Sequence, residues 1–214
     1  AAARPARRRP REGQPAVRAA EPASEWIELL GARGFAAWRA PLGEWQIGGE
    51  AMLAPDNEAR LALAPGGGVA LNGPAGKTTH LVSKDEFGDL EVHLEFMVPK
   101  GSNSGVYLQG RYEIQIFDSW GAVEPKYSDC GGLYQRWREE AGLANEERGY
   151  EGAPPRVNAS RPPGEWQAFD IVFRAPRFDA SGKKIANAAF VKVAHNGKTI
   201  HENREVSRPT RAAI

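Results

Sequence analysis

Three short runs gather the residue types that move protons and grip hydroxylated ligands. Leu90 to Phe96 alternates strictly, with Leu90, Val92, Leu94 and Phe96 on one face and Glu91, His93 and Glu95 on the other. Further along, Tyr107 and Gln109 share a face of their run, and Glu113 and Gln115 share a face of the next. If these runs are neighbouring strands, His93, Glu95, Tyr107, Gln109, Glu113 and Gln115 form one polar patch. Carboxylates and an imidazole can transfer protons. Planar amides and a phenol suit a sugar, which carries hydroxyls at its rim and C–H groups on its faces. The plainer reading is that a half-buried strand turns its polar face to bulk water.

Other chemistries find less support. The loop Lys100-Gly101-Ser102-Asn103-Ser104-Gly105 is small and polar. In it, Asn103 tolerates a positive φ and Ser104 can donate into a nearby cleft. It has no Lys-Ser/Thr ending and no following helix, so it is not a phosphate loop. The four histidines (His80, His93, His195, His201) are scattered, without His-Glu-x-x-His spacing. A divalent metal held by His93 with Glu95 or Glu113 stays open as an expectation. There is no Gly-x-Ser-x-Gly, and Cys130 lies in a glycine turn without an evident partner base.

The elements that must position these groups are strands. With 24 Gly and 16 Pro punctuating short alternating runs, the chain reads as all-β. Strands are expected at Leu90–Phe96, Gly105–Gln109, Tyr112–Phe117, Trp166–Arg174 and Ala189–Ala194, the last turning at Asn196-Gly197, a strong hairpin signal. Helix is limited to a turn or two within Leu133–Leu143. Many short strands imply a sandwich or barrel.

Composition sets the outer bounds. At 41% hydrophobic residues the chain can build a real core, and 28 basic against 27 acidic residues leave no global field for nucleic acid. Residues 1–24 are rich in Ala, Pro and Arg and lack periodicity, the composition of a disordered tail, with the domain expected over 25–214. One cysteine permits no internal disulfide, so compartment cannot be read from it. No run reaches the roughly 18 apolar residues of a membrane span, and no secretory leader is visible.

Several motifs occur in order: Gly34-Phe35 with Trp38, Gly43-Glu44-Trp45-Gln46-Ile47, Phe87-Gly88-Asp89 and Lys100 to Tyr107. Arg111 to Asp118, Cys130-Gly131-Gly132-Leu133-Tyr134 and Pro163-Gly164-Glu165-Trp166-Gln167 follow. From about Trp26 onward the chain resembles the 3-keto-disaccharide hydrolase family, long called domain of unknown function 1080. The resemblance implies a concanavalin/LamG-like jelly-roll sandwich of two antiparallel sheets, exported by bacteria to an extracytoplasmic location, with a carbohydrate ligand. It implies cleavage of 3-keto-glycosides: removal of the C2 proton, loss of the C1 substituent, then hydration. Within that chemistry Glu113 or His93 is the expected base, Arg111 or a divalent cation the oxyanion stabiliser, and Asp118 or Glu95 the acid. Glu95, Asn103, Ser104, Tyr107, Gln109 and Gln115 are the expected substrate contacts. Members continue past the segment resembling Arg208-Pro209-Thr210 into a closing strand, which this chain is expected to lack. A non-catalytic carbohydrate-binding module is the alternative, since the same sandwich can hold a glycan without chemistry.

Overall fold

The computed structural model describes residues 26–213, so the expected tail over residues 1–24 lies outside the described residues. In chain order the strands are β1 (Gln46–Ala54), β2 (Asn57–Leu71), β3 (Leu90–Met97), β4 (Asn103–Leu108), β5 (Tyr112–Phe117) and β6 (Arg136–Trp137). A helical turn, α1 (Asn145–Arg148), precedes β7 (Gly149–Tyr150). Then come β8 (Trp166–Arg174), β9 (Arg177–Phe178), β10 (Lys184–Ala186), β11 (Ala188–His195) and β12 (Lys198–Val206).

The architecture is the expected all-β sandwich with antiparallel pairings. Its larger layer is a four-stranded sheet ordered β12-β11-β8-β3. In it Leu94 faces Phe169 and His93 faces Asp170 across the β3–β8 pair. Because alternate side chains take opposite faces, Phe96, Phe169, Ile171, Phe173, Phe190 and Val193 turn inward, while Glu91, His93 and Glu95 turn to solvent. The smaller layer starts from the β4–β5 hairpin. Past β5 it continues without regular strand: Gly131 N–H donates to Gln115 O (2.8 Å), Gln115 N–H donates to Gly132 O (2.9 Å), and Leu133 bridges on to Ala153.

Leu108, Ile114, Ile116 and Leu133 from the smaller layer meet the phenylalanines of the larger one in a single core. Each such fully buried apolar side chain is worth about 1.5–3 kcal/mol. Phe169, with no exposed surface, lies between the layers beside Phe96 at a ring distance of 4.8 Å. Truncating it to Ala would cost about 3–5 kcal/mol.

Two local features differ from the sequence reading. Residues 133–137 are not helical; the one helical turn among the described residues comes later, at α1. The β1–β2 hairpin was not legible because Gly48-Gly49 and the Pro65-Gly66-Gly67-Gly68 run interrupt its alternation. There the register slips between Gly48 and Glu50, and a Cβ on Gly49 would come within 2.8 Å of Pro65 O. By contrast the Asn196-Gly197 turn forms as expected, with φ of 50° and 77°.

Candidate active site

On β5 alternation separates Ile114 and Ile116, which enter the core, from Glu113 and Gln115, which take the outer face of the smaller layer. Tyr107 on β4 stands directly opposite Glu113, and Gly105 opposite Gln115. A Cβ on Gly105 would overlap Oε1 of Glu113. Gly105 is therefore glycine for space: its absent side chain is where the carboxylate lies.

The irregular segment past β5 supplies the next wall. Leu133 packs inward beside Ile114, which turns Tyr134 outward, and Tyr134 N–H donates to Glu113 O (3.2 Å). Tyr127 meets Tyr134 edge-on, with ring centroids 5.5 Å apart. Arg136 is fully buried and donates from Nη1 to Thr210 Oγ1, while its Nε and Nη2 have no hydrogen-bond partner among the described residues. Thr210 Oγ1 also accepts the backbone N–H of Glu113 (3.1 Å). The chain near its C-terminal end thus ties Glu113 to Arg136. His80, on the loop before β3, meets Tyr107 edge-on, with ring centroids 6.5 Å apart.

Electrostatics single out Glu113. Burial pushes its pKa up to about 6, opposed by the facing Tyr107 phenol and the Arg136 charge. Tyr107 is held well above the usual phenol range, first by burial and then by Glu113. Burial also raises Tyr134. A carboxylate titrating near neutrality, between phenols that stay protonated, has the form of a general base or acid. Gln115 points its amide N–H at Ser128 O (3.3 Å) and leaves Oε1 without a partner among the described residues.

The expected single patch does not form. Glu113, Gln115 and Tyr107 come together, with Asn103 exposed farther along the same hairpin. His93 and Glu95 belong to β3, which pairs with β8 rather than β4, so the core separates them from Glu113. His93 is engaged instead with Asp170 (Nδ1 to Oδ1, 2.7 Å), and both are about half exposed. Gln109 falls in the β4–β5 turn, with φ of 55°, and donates to Phe87 O (3.2 Å). Asp118 accepts Gly101 N–H (2.9 Å) and so caps a turn. Ser104 alternates to the opposite face from Gly105 and is exposed. Arg111 is exposed at the turn, its carbonyl accepting Thr210 N–H (2.7 Å). The cation beside Glu113 is Arg136, not Arg111.

A divalent cation fits this face poorly. Among the described residues no three His, Cys, Asp or Glu side chains converge, and His93 cannot reach Glu113 through the core. Glu113 would offer a single carboxylate beside a fixed guanidinium, which repels a cation. Arg136, Tyr134, Tyr127, Thr210 and His80 were missed by sequence reasoning. The available signal was Cys130-Gly131-Gly132-Leu133-Tyr134, whose two glycines let the backbone lie against β5.

The comparisons with known proteins agree with this architecture. The family described as 3-keto-alpha-glucoside-1,2-lyase-like domain matches residues 25–214. No curated protein matches the chain. A solved structure from Parabacteroides distasonis, described as a "putative glycosyl hydrolase", superposes with a TM-score of 0.51 at 22% identity. The match covers 84% of this chain and 65% of that one, so this chain spans less than two thirds of that protein, and the likeness concerns the fold alone. No helix among the described residues is long and apolar enough to cross a membrane.

Proposed function

The chain belongs to the 3-keto-alpha-glucoside-1,2-lyase-like family, and from that premise we propose that it cleaves 3-keto-glycosides with Glu113 as the base. A ketone at C3 acidifies the C2 proton. Glu113 takes that proton, the electron pair passes to the C3 oxygen as an enolate, and its collapse expels the C1 substituent to leave an enone. Water then adds across the double bond, giving net hydrolysis. The observation that carries this reading is the environment of Glu113: a carboxylate with its pKa near 6, framed by Tyr107, Tyr134 and Arg136.

The other groups fall into supporting roles. Tyr134, which burial keeps protonated, supplies an O–H donor on the face where the enolate oxygen develops, and Tyr127 packs edge-on against it. Arg136 and Thr210 hold the Glu113 backbone and field from behind. A carbohydrate ligand and an extracytoplasmic location belong to the same proposal and rest on the family.

One observation favours a second reading, a non-catalytic carbohydrate-binding module. Glu113 is only 6% exposed and Arg136 is not exposed at all, which suits buried groups that brace a sugar-binding surface without touching the ligand. Incubation with 3-keto-trehalose and a 3-keto-glucoside, with and without chelator, separates the two. Release of 3-keto-glucose or its enone is expected. Binding without any cleavage, in either condition, supports the module.

A further inference from the structure

The residue that the folded chain removes from the patch, Glu95, lies in a different recess. On the outer side of the larger sheet Glu95, Trp166 and Ala168 alternate onto one face, since Glu95 pairs with Ala168 and Met97 with Trp166. With Arg161, Gln167 and the Asn196-Gly197 turn they line a cleft of about 240 Å³. That is below the roughly 300–1,000 Å³ of drug-sized pockets, and so matches one small ring.

The cleft is built rigidly. Asn196 accepts Ala168 N–H on Oδ1 (2.9 Å) and donates to Ala159 O (2.8 Å), fixing the turn against the strand. Arg161 is held by a bond from Nη1 to Trp166 O (2.9 Å). Ala168 is the small residue that keeps the floor low.

Gln167 braces the cleft from the core side by holding the backbone of Arg161. Gln167 is 2% exposed, and its Oε1 accepts Arg161 N–H (3.0 Å) and lies 3.0 Å from His195 Nε2. The backbone N–H can only donate, so the amide orientation is fixed and Nε2 turns away from both. That Nε2 has no partner among the described residues. Gln167 alternates inward with Phe169 and that atom is sealed from solvent, so the cleft presents Glu95, Trp166 and Arg161 to a ligand instead.

We propose that this cleft is a second carbohydrate site, taking one neutral pyranose ring on the opposite side of the sandwich from Glu113. Trp166 supplies an aromatic wall for the C–H face of the ring. Glu95 accepts from, and Arg161 donates to, the rim hydroxyls. A charged ligand is less suited, because the carboxylate and guanidinium lie in the same cleft and neither sign is favoured. The choice of a sugar as ligand rests on the carbohydrate reading above; the cleft does not depend on cleavage.

The test uses the full chain and unoxidised probes, methyl α-D-glucopyranoside and trehalose. The Trp166 indole N–H is followed by NMR and assigned with Trp166→Phe. A saturating shift with a dissociation constant on the order of millimolar is expected. Ala168→Leu, which fills the floor, and Glu95→Gln should each weaken binding about 10-fold or more, with 3-keto-trehalose turnover unchanged. Glu113→Gln should retain the shift. No shift at about 50 mM sugar, or equal binding by Ala168→Leu and Glu95→Gln in folded proteins, overturns the proposal. So does a shift lost in Glu113→Gln but kept in Ala168→Leu, which would put the sugar in the other site. Absent turnover in every protein sinks the cleavage reading while leaving a Trp166 shift to stand.

Discussion

Tyr107 stands directly across the β4–β5 hairpin from Glu113, and its phenol tempers the rise by which burial lifts the carboxylate to a pKa of about 6. The pairing follows from the hairpin register, which the Gln109-Gly110 turn fixes with two positive φ values of 55° and 65°. It puts a neutral donor against a base on a rigid element.

The raised pKa links activity and stability in opposite senses. Glu113 holds its proton more tightly folded (about 6) than at its ordinary value of 4.5. Its contribution to stability is therefore fully present below about pH 4.5 and is lost as pH rises through 6, to the extent of about 2 kcal/mol. Glu113→Gln removes that ionisation, so at pH 7.5 the variant should melt no lower than wild type. Wild-type kcat/KM should rise with pH through about 6 as the base ionises. Thermal melts and a pH–rate profile check both; a variant much less stable at pH 7.5 contradicts the assignment.

Gly105→Ala tests the space reserved for the carboxylate. The added Cβ overlaps Glu113 Oε1, so the base must move. Turnover should fall about 100-fold while circular dichroism stays that of a folded sandwich. Unchanged turnover would show that Glu113 need not occupy that space.

Two histidines make the fold acid-sensitive. His195, stacked at 5.9 Å from Phe96 and tilted at 4.8 Å from Phe169, and His201, whose Nε2 donates to Gly131 O (2.7 Å), are both pushed by burial to about 4. Folded, they resist protons that the unfolded chain takes up below about 6.5. Their contribution is present above that pH and is lost as pH falls toward 4, by up to about 3 kcal/mol each. Urea midpoints should drop between pH 6.5 and 4, and the drop should shrink in His195→Phe.

Much of the local order was legible in the sequence. Strict alternation in Leu90–Phe96 and Tyr112–Phe117 told correctly which side chains face the core. It could not tell which sheet a strand joins, because pairing is set by contacts distant in sequence: β3 finds β8, more than 70 residues away by the His93–Asp170 pair. The patch that combined His93 with Glu113 failed for that reason. Gln109 failed more locally, since Gln-Gly between two alternating runs is itself a turn signal. Arg136 and Thr210 carried no periodic signal, as β6 is two residues long and Thr210 joins it by an isolated bridge.

The separation of the two outer faces predicts an inert control. His93→Ala breaks only a half-exposed pair with Asp170, an interaction of about 0–1 kcal/mol. Turnover of 3-keto-trehalose should stay within about twofold of wild type. A large loss would return His93 to the mechanism.

The central claim is that Glu113 removes the C2 proton. The most direct measurement follows loss of deuterium from C2 of 3-keto-trehalose labelled there, by NMR, with wild type and Glu113→Gln side by side. Wild type should release the label together with cleavage, and Glu113→Gln should release it at least about 100-fold more slowly while remaining folded. Equal rates of C2 deuterium loss in the two proteins would contradict the account.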